Sequence, residues 1–141
     1  MIQSTQETKN LGKKFAKKLE AEDIILLEGK LGSGKTTFIK GVCNYFRVEE
    51  STVRSPTFTL INTYPTQKNK DKIKQIVHID TYRMEDSQEL IEIGFEDYLE
   101  DENSVIFIEW PEKIQELLED QNAKQIKFKH LDKSKRKIII N

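Results

Sequence analysis

The sequence predicts an α/β domain: a mostly parallel sheet covered by helices, with antiparallel strands added to it. Three observations carry this. Apolar runs of strand length alternate along the chain with segments of helical spacing. One such run, residues 23–28, passes through a glycine-rich loop straight into a helical segment. Another, Val105-Ile106-Phe107-Ile108, is apolar without alternation, the pattern of a strand buried on both faces.

The elements follow in order. Residues 4–19 read as a helix. Ser4 with Glu7 three residues later makes a capping box, and Leu11, Phe15, Ala16 and Leu19 recur at helical spacing. The lysines at 13, 14, 17 and 18 fall on the other side, as a solvated face. Residues 23–28 are the first strand and 37–46 a helix. Residues 57–64 are rich in β-branched and aromatic side chains and read as a strand. Residues 67–72 are polar and read as a loop, and 74–79 as a strand ending at Asp80. Asp86 caps a short helix with Glu89 at its third position; Gly94 ends it, and 95–99 add another helical turn. After the 105–108 strand, Pro111 begins a helix through Leu118. Residues 125–129 and 137–140 are late strands, and the basic turn Lys133–Lys137 at their junction either touches RNA phosphates or is a solvated turn, the reading favoured here since the net charge lends RNA no support.

Length and composition bound the function. At 141 residues the chain is expected to be one domain, 1–141, burying roughly 68–70% of its unfolded surface. A net charge of −1 argues against a general polyanion binder. The single cysteine, Cys43, excludes an internal disulfide and reads as a small core residue. No stretch has the length of a membrane span or the pattern of a signal peptide, so a cytoplasmic location is expected.

The chemistry is concentrated at three strand ends, where open α/β sheets bind ligands. Gly29-Lys30-Leu31-Gly32-Ser33-Gly34-Lys35-Thr36 has the form G-x-x-x-x-G-K-[ST] in its required context of strand, loop and helix. Glycines let backbone N–H groups turn around phosphate oxygens, and the helix N-terminus adds partial positive charge. Gly32, Ser33, Gly34, Lys35, Thr36 and Thr37 are the expected nucleotide contacts. Lys35 reaches the β- and γ-phosphates, and the Thr36 hydroxyl sits on Mg²⁺. Asp80 closes an apolar strand, the usual place for the acid that serves the Mg²⁺ of such a site, directly or through a water. Glu109 stands at the end of the next strand, as a metal ligand or as the group that orients and deprotonates the attacking water.

Other residues stay open. His78 shares a face with Asp80 and either contacts it or a phosphate, or is a structural histidine. Arg83 either neutralises γ-phosphate charge or holds Glu85 or Glu89. Ser55-Pro56-Thr57 is either a segment that senses the γ-phosphate or an ordinary turn. Trp110 stacks on a base, packs against a partner, or packs in the core.

Five ordered segments resemble one family: 29–37, Ser55-Pro56-Thr57-Phe58-Thr59-Leu60, His78-Ile79-Asp80-Thr81-Tyr82-Arg83, Ile93-Gly94-Phe95-Glu96-Asp97-Tyr98 and Ile108-Glu109-Trp110-Pro111-Glu112. They are similar to those of TsaE, also called YjeE, the small bacterial ATPase needed for the threonylcarbamoyladenosine modification of tRNA. The resemblance implies a three-layer P-loop NTPase-like fold, ATP and Mg²⁺ as cofactors, and slow intrinsic hydrolysis stimulated by partners. It implies the partner proteins TsaD and TsaB, with tRNA engaged only through that complex. It places Thr36 and Glu109 at metal positions, Asp80 as the strand-end acid, Ser55-Pro56-Thr57 as a first switch, and Thr8 near the nucleotide. The segment 84–90 lacks the proline the family often carries there, and the chain after Glu119 matches least.

Two other functions compete. A small-molecule kinase of this fold needs an acceptor pocket and an arginine-bearing lid, whereas the arginines here are Arg47, Arg54, Arg83 and Arg136, with no long insertion. A module that uses nucleotide only as a structural ligand would not need Asp80 or Glu109.

Overall fold

The computed structural model describes residues 4–70, 72–131 and 135–140. Helix α1 (Thr5–Ala16) leads into β1 (Ile24–Glu28) and α2 (Lys35–Tyr45). The hairpin strands β2 (Ile61–Lys70) and β3 (Ile73–Asp80) follow, then the short helices α3 (Gln88–Glu92) and α4 (Phe95–Glu100). The chain continues as β4 (Ser104–Glu109), a 3₁₀ turn at Pro111–Ile114, α5 (Gln115–Leu118), β5 (Ala123–His130) and β6 (Arg136–Ile140). The sheet order is β2-β3-β4-β1-β5-β6. Strands β3, β4, β1 and β5 run parallel, and β2 and β6 add antiparallel at the two margins.

The arrangement is three-layered because successive strand residues point to opposite faces. Val105 and Phe107 of β4 join Phe15, Phe38 and Val42 in the core under α1 and α2. Ile106 and Ile108 point the other way, onto Leu90, Phe95, Ile114 and Leu118 of the second helical layer. All of β4 is buried, as its unbroken apolar run predicts. Cys43 lies in the first core, where burial pushes its thiol up to about 12.

Local rules explain most boundaries. The Ser4 hydroxyl accepts the Glu7 N–H at 3.1 Å and caps α1. α1 stops at Ala16, short of the expected Leu19, although Leu19 is still buried. Asp86 Oδ1 accepts the Gln88 N–H while the Glu89 carboxylate accepts the Glu85 and Asp86 N–H groups, so the expected capping box forms ahead of α3. Those backbone donors hold the Glu89 carboxyl below its ordinary range. The segment from Pro111 starts as 3₁₀ and becomes α-helical only at Gln115.

Two expectations need correction. The strand expected over 57–64 begins only at Ile61, because Leu60 takes a left-handed φ of 68° and its N–H closes a turn onto Pro56 O at 2.8 Å. The polar stretch 67–72, expected as loop, is mostly strand: β2 continues to Lys70, with its register shifting between Pro65 and Lys70. A marginal strand tolerates both a proline and polar side chains, so hydropathy understated its length. The basic turn expected after β5 falls mainly on residues 132–134, outside the described residues.

Helices α1 and α2 meet through two glycines. A Cβ at Gly41 would stand 2.1 Å from Lys9 O, and one at Gly12 would stand 2.2 Å from Phe38 O. Backbone cannot yield as a side-chain tip can. Gly41→Ala is therefore expected to destabilise the protein by about 1–3 kcal/mol, as overpacking does. Thermal unfolding measures this; an unchanged midpoint would mean that the helices part without cost.

Candidate functional site

The parallel strands deliver their C-terminal ends to one edge. β1 runs into the glycine-rich loop, and Asp80 and Glu109 stand opposite each other at the ends of β3 and β4. Glu109 also pairs in register with Leu27 of β1. A cleft of about 480 Å³ opens there, lined by Gly32, Gly34, Lys35, Thr36, Thr37, Ser55, Thr57, Asp80, Glu109 and Trp110, with Thr5, Leu31 and Arg136.

The loop is built for anions. Gly34 precedes α2 at φ 104°, a conformation side chains rarely adopt, which lets the loop turn into the helix. Ser33 Oγ is buried and has no hydrogen-bond partner among the described residues. Lys35 is buried; its Nζ donates to Gly29 O at 2.6 Å and lies 3.9 Å from the centre of the Trp110 ring. Burial lowers the Lys35 pKa, against the opposing pull of Glu109, Asp80 and Glu112.

The acids are held differently. Asp80 Oδ2 accepts Ser55 Oγ at 2.8 Å and Thr57 Oγ1 at 3.2 Å, and its Oδ1 accepts the Tyr82 N–H at 2.8 Å. Glu109 receives both of its side-chain contacts on Oε2, from Thr36 Oγ1 at 3.4 Å and His78 Nε2 at 2.5 Å. Among the described residues no three His, Cys, Asp or Glu side chains converge as a metal cage. Thr36 with one or two carboxylates instead suits Mg²⁺, which keeps waters and takes phosphate oxygens as ligands. The loop and this donor set fit a Mg²⁺-bound nucleotide; the Ser33 hydroxyl, packed against Gly29, is not part of the cleft lining.

Gly32, Gly34, Lys35, Thr36, Thr37, Asp80 and Glu109 thus come together, with Ser33 buried in the same loop. Thr8 does not line the cleft. It is fully buried, its hydroxyl 3.3 Å from Ser4 O, and Thr5 one turn earlier takes the lining position. His78 reaches Glu109 and Tyr64 rather than Asp80. Trp110 is not core: it takes a left-handed φ of 61° at the cleft rim, its ring 4.9 Å from that of Tyr82. The Arg83 guanidinium lies 4.5 Å from the exposed Phe58 ring, away from the cleft lining.

Sequence reasoning missed Arg136. It begins β6, beside β5 and so one strand removed from β1, and its Nη1 lies 3.3 Å from where a Gly34 Cβ would stand. Only the pairing of β5 with β1 brings it there, and no local pattern signals that. A second groove, about 650 Å³, lies outside β2 and includes Arg47, Arg54, Asn62 and Tyr64.

Comparison with known proteins agrees with this layout. Residues 2–138 match the family described as threonylcarbamoyl adenosine biosynthesis protein TsaE. The chain is 39% identical over 135 residues to the tRNA threonylcarbamoyladenosine biosynthesis protein TsaE of Rickettsia prowazekii, covering 96% of this chain and 88% of that protein. It is 35% identical over 142 residues to the protein of the same name from Aquifex aeolicus, covering 99% and 92%. The crystal structure of Bacillus subtilis YdiB superposes with a TM-score of 0.71 at 30% identity, covering 97% of this chain and 79% of that one. The chain belongs to the TsaE family.

Proposed function

We propose that this protein binds ATP with Mg²⁺ in the cleft, hydrolyses it slowly alone, and serves as an accessory ATPase in the threonylcarbamoyladenosine modification of tRNA. The observation that carries this is the convergence of Lys35, Thr36, Asp80 and Glu109 at one strand-end cleft beside a glycine-rich loop. In this reading the loop and Lys35 hold the phosphates, while Thr36 and the acids hold the metal. Bound Mg²⁺ supplies charge neutralisation at the phosphates. Of the two acids, Asp80 is engaged on both oxygens, whereas Glu109 is engaged only through Oε2 among the described residues. That makes Glu109 the better group to orient a water. Asp80 then links the metal region to the Ser55–Thr57 segment, which would respond to the γ-phosphate.

The family membership supports the tRNA-modification role, and we propose TsaD and TsaB as the partners on which the ATP cycle acts, with tRNA engaged through them. A cytoplasmic site of action goes with that role. No described helix is long and apolar enough to cross a membrane. For the kinase alternative, only Arg136 of the four arginines lines the cleft, and it stands on strand β6 rather than on a lid; Arg47 and Arg54 line the outer groove and Arg83 covers Phe58. Phosphate release from ATP, with and without purified TsaD and TsaB, tests the proposal. Marked stimulation by the pair is expected; none, with ATP bound and the partners active, would sink the partner-driven reading.

A further inference from the structure

We propose that Tyr64 and His78 are positioning residues of the hydrolytic site, tying the backbone at Arg54 to Glu109 so that one segment sets both acids. The inference rests on the ATPase reading above.

The geometry is a continuous buried chain. Tyr64, His78 and Glu109 are 4%, 0% and 4% exposed, so their polar atoms depend on one another rather than on solvent. Glu109 Oε2 meets His78 Nε2 at 2.5 Å, His78 Nδ1 meets Tyr64 Oη at 3.2 Å, and Tyr64 Oη meets both the N–H of Arg54 at 3.2 Å and its carbonyl at 3.0 Å.

The hydroxyl of Tyr64 is the hub of the chain. Its oxygen accepts the Arg54 N–H at 3.2 Å and lies 3.0 Å from the Arg54 carbonyl, to which it donates, and 3.2 Å from His78 Nδ1. His78 continues the chain to Glu109 through its other ring nitrogen. Asn62 Nδ2 also donates to the Arg54 carbonyl, at 3.2 Å.

The segment at the far end already holds the other acid. Ser55 and Thr57, immediately after Arg54, place their hydroxyls on Asp80 Oδ2. Asp80 and Glu109 are register partners on adjacent strands. Movement of the segment therefore reaches Asp80 directly and Glu109 through Tyr64 and His78. A nucleotide-responsive segment would gain control of both acids at once. Residues that orient a metal ligand or a catalytic group typically matter about 10- to 100-fold when lost.

Two measurements decide this. Tyr64→Phe keeps the buried ring and deletes the hydroxyl; it should lower kcat about tenfold while KM for ATP stays within about twofold. A native kcat would overturn the proposal, as would a loss confined to KM. Independently, nitrogen NMR on the ligand-free native protein, labelled at its histidines His78 and His130, reads the Tyr64–His78 contact. The Nδ1 signal of His78 is expected to shift in Tyr64→Phe while the His130 signals stay in place. A His78 Nδ1 signal unmoved by Tyr64→Phe would overturn the link. If the native protein neither binds nor cleaves ATP, the ATPase reading fails by itself, and the histidine shifts still decide the hydrogen-bonded link.

Discussion

Lys35→Ala is expected to abolish ATP binding while leaving the protein folded. Lys35 is a buried cation lining the cleft that also holds Asp80 and Glu109. Its ammonium sits between Gly29 O and the Trp110 ring and is drawn on by Glu109, Asp80 and Glu112. Without it, a triphosphate would face the acids with less compensation. Loss of one charge-assisted hydrogen bond costs about 3 kcal/mol, roughly 100-fold in affinity, and the unscreened acids add to that. Trp110 is the only tryptophan and lines the cleft, so its fluorescence reads nucleotide binding, with thermal unfolding as the control for folding. Native affinity in the variant would refute the site. The lowered Lys35 pKa also fixes a sign. Phosphate binding raises the pKa of this lysine, so affinity is held below the free-protein pKa and is lost as pH climbs through the bound-state value.

Glu109→Gln separates binding from turnover. The amide has the shape of the carboxylate and retains an oxygen that can accept from His78 Nε2, so the buried arrangement survives. The variant should bind ATP but lose the ability to take a proton from water, at a cost of about 100-fold or more in rate. Rapid-quench measurement of phosphate release, alongside Trp110 fluorescence, checks both halves. Normal turnover would remove Glu109 from its proposed role.

The parts of the fold set by local signals were legible in the sequence. The loop from Gly29 to Thr36, the buried run of β4 and the Ser4 cap each follow from a pattern within a few residues. Strand-end acids were legible too, because Asp80 and Glu109 close apolar runs. What escaped depends on strands far apart in the chain. Tyr64 finds His78 across the β2–β3 pair, and His78 finds Glu109 across β3–β4, at sequence separations of 14 and 31. Arg136 reaches Gly34 only because β6 follows β5 onto the β1 side of the sheet. The length of β2 was misread for a different reason: a marginal strand has one side to water, and its composition resembles loop. Thr8 is buried beside Gly34 of the loop, while Thr5, one helical turn earlier, lines the cleft.

The most direct test of the central claim is phosphate release by the native protein at ATP concentrations that saturate the Trp110 signal, with Mg²⁺ and then with a chelator. Slow release that stops when Mg²⁺ is removed is the predicted result. Saturated binding with no phosphate released, or release at the same rate without divalent metal, would contradict the assignment of Thr36, Asp80 and Glu109 as a metal-dependent hydrolytic site.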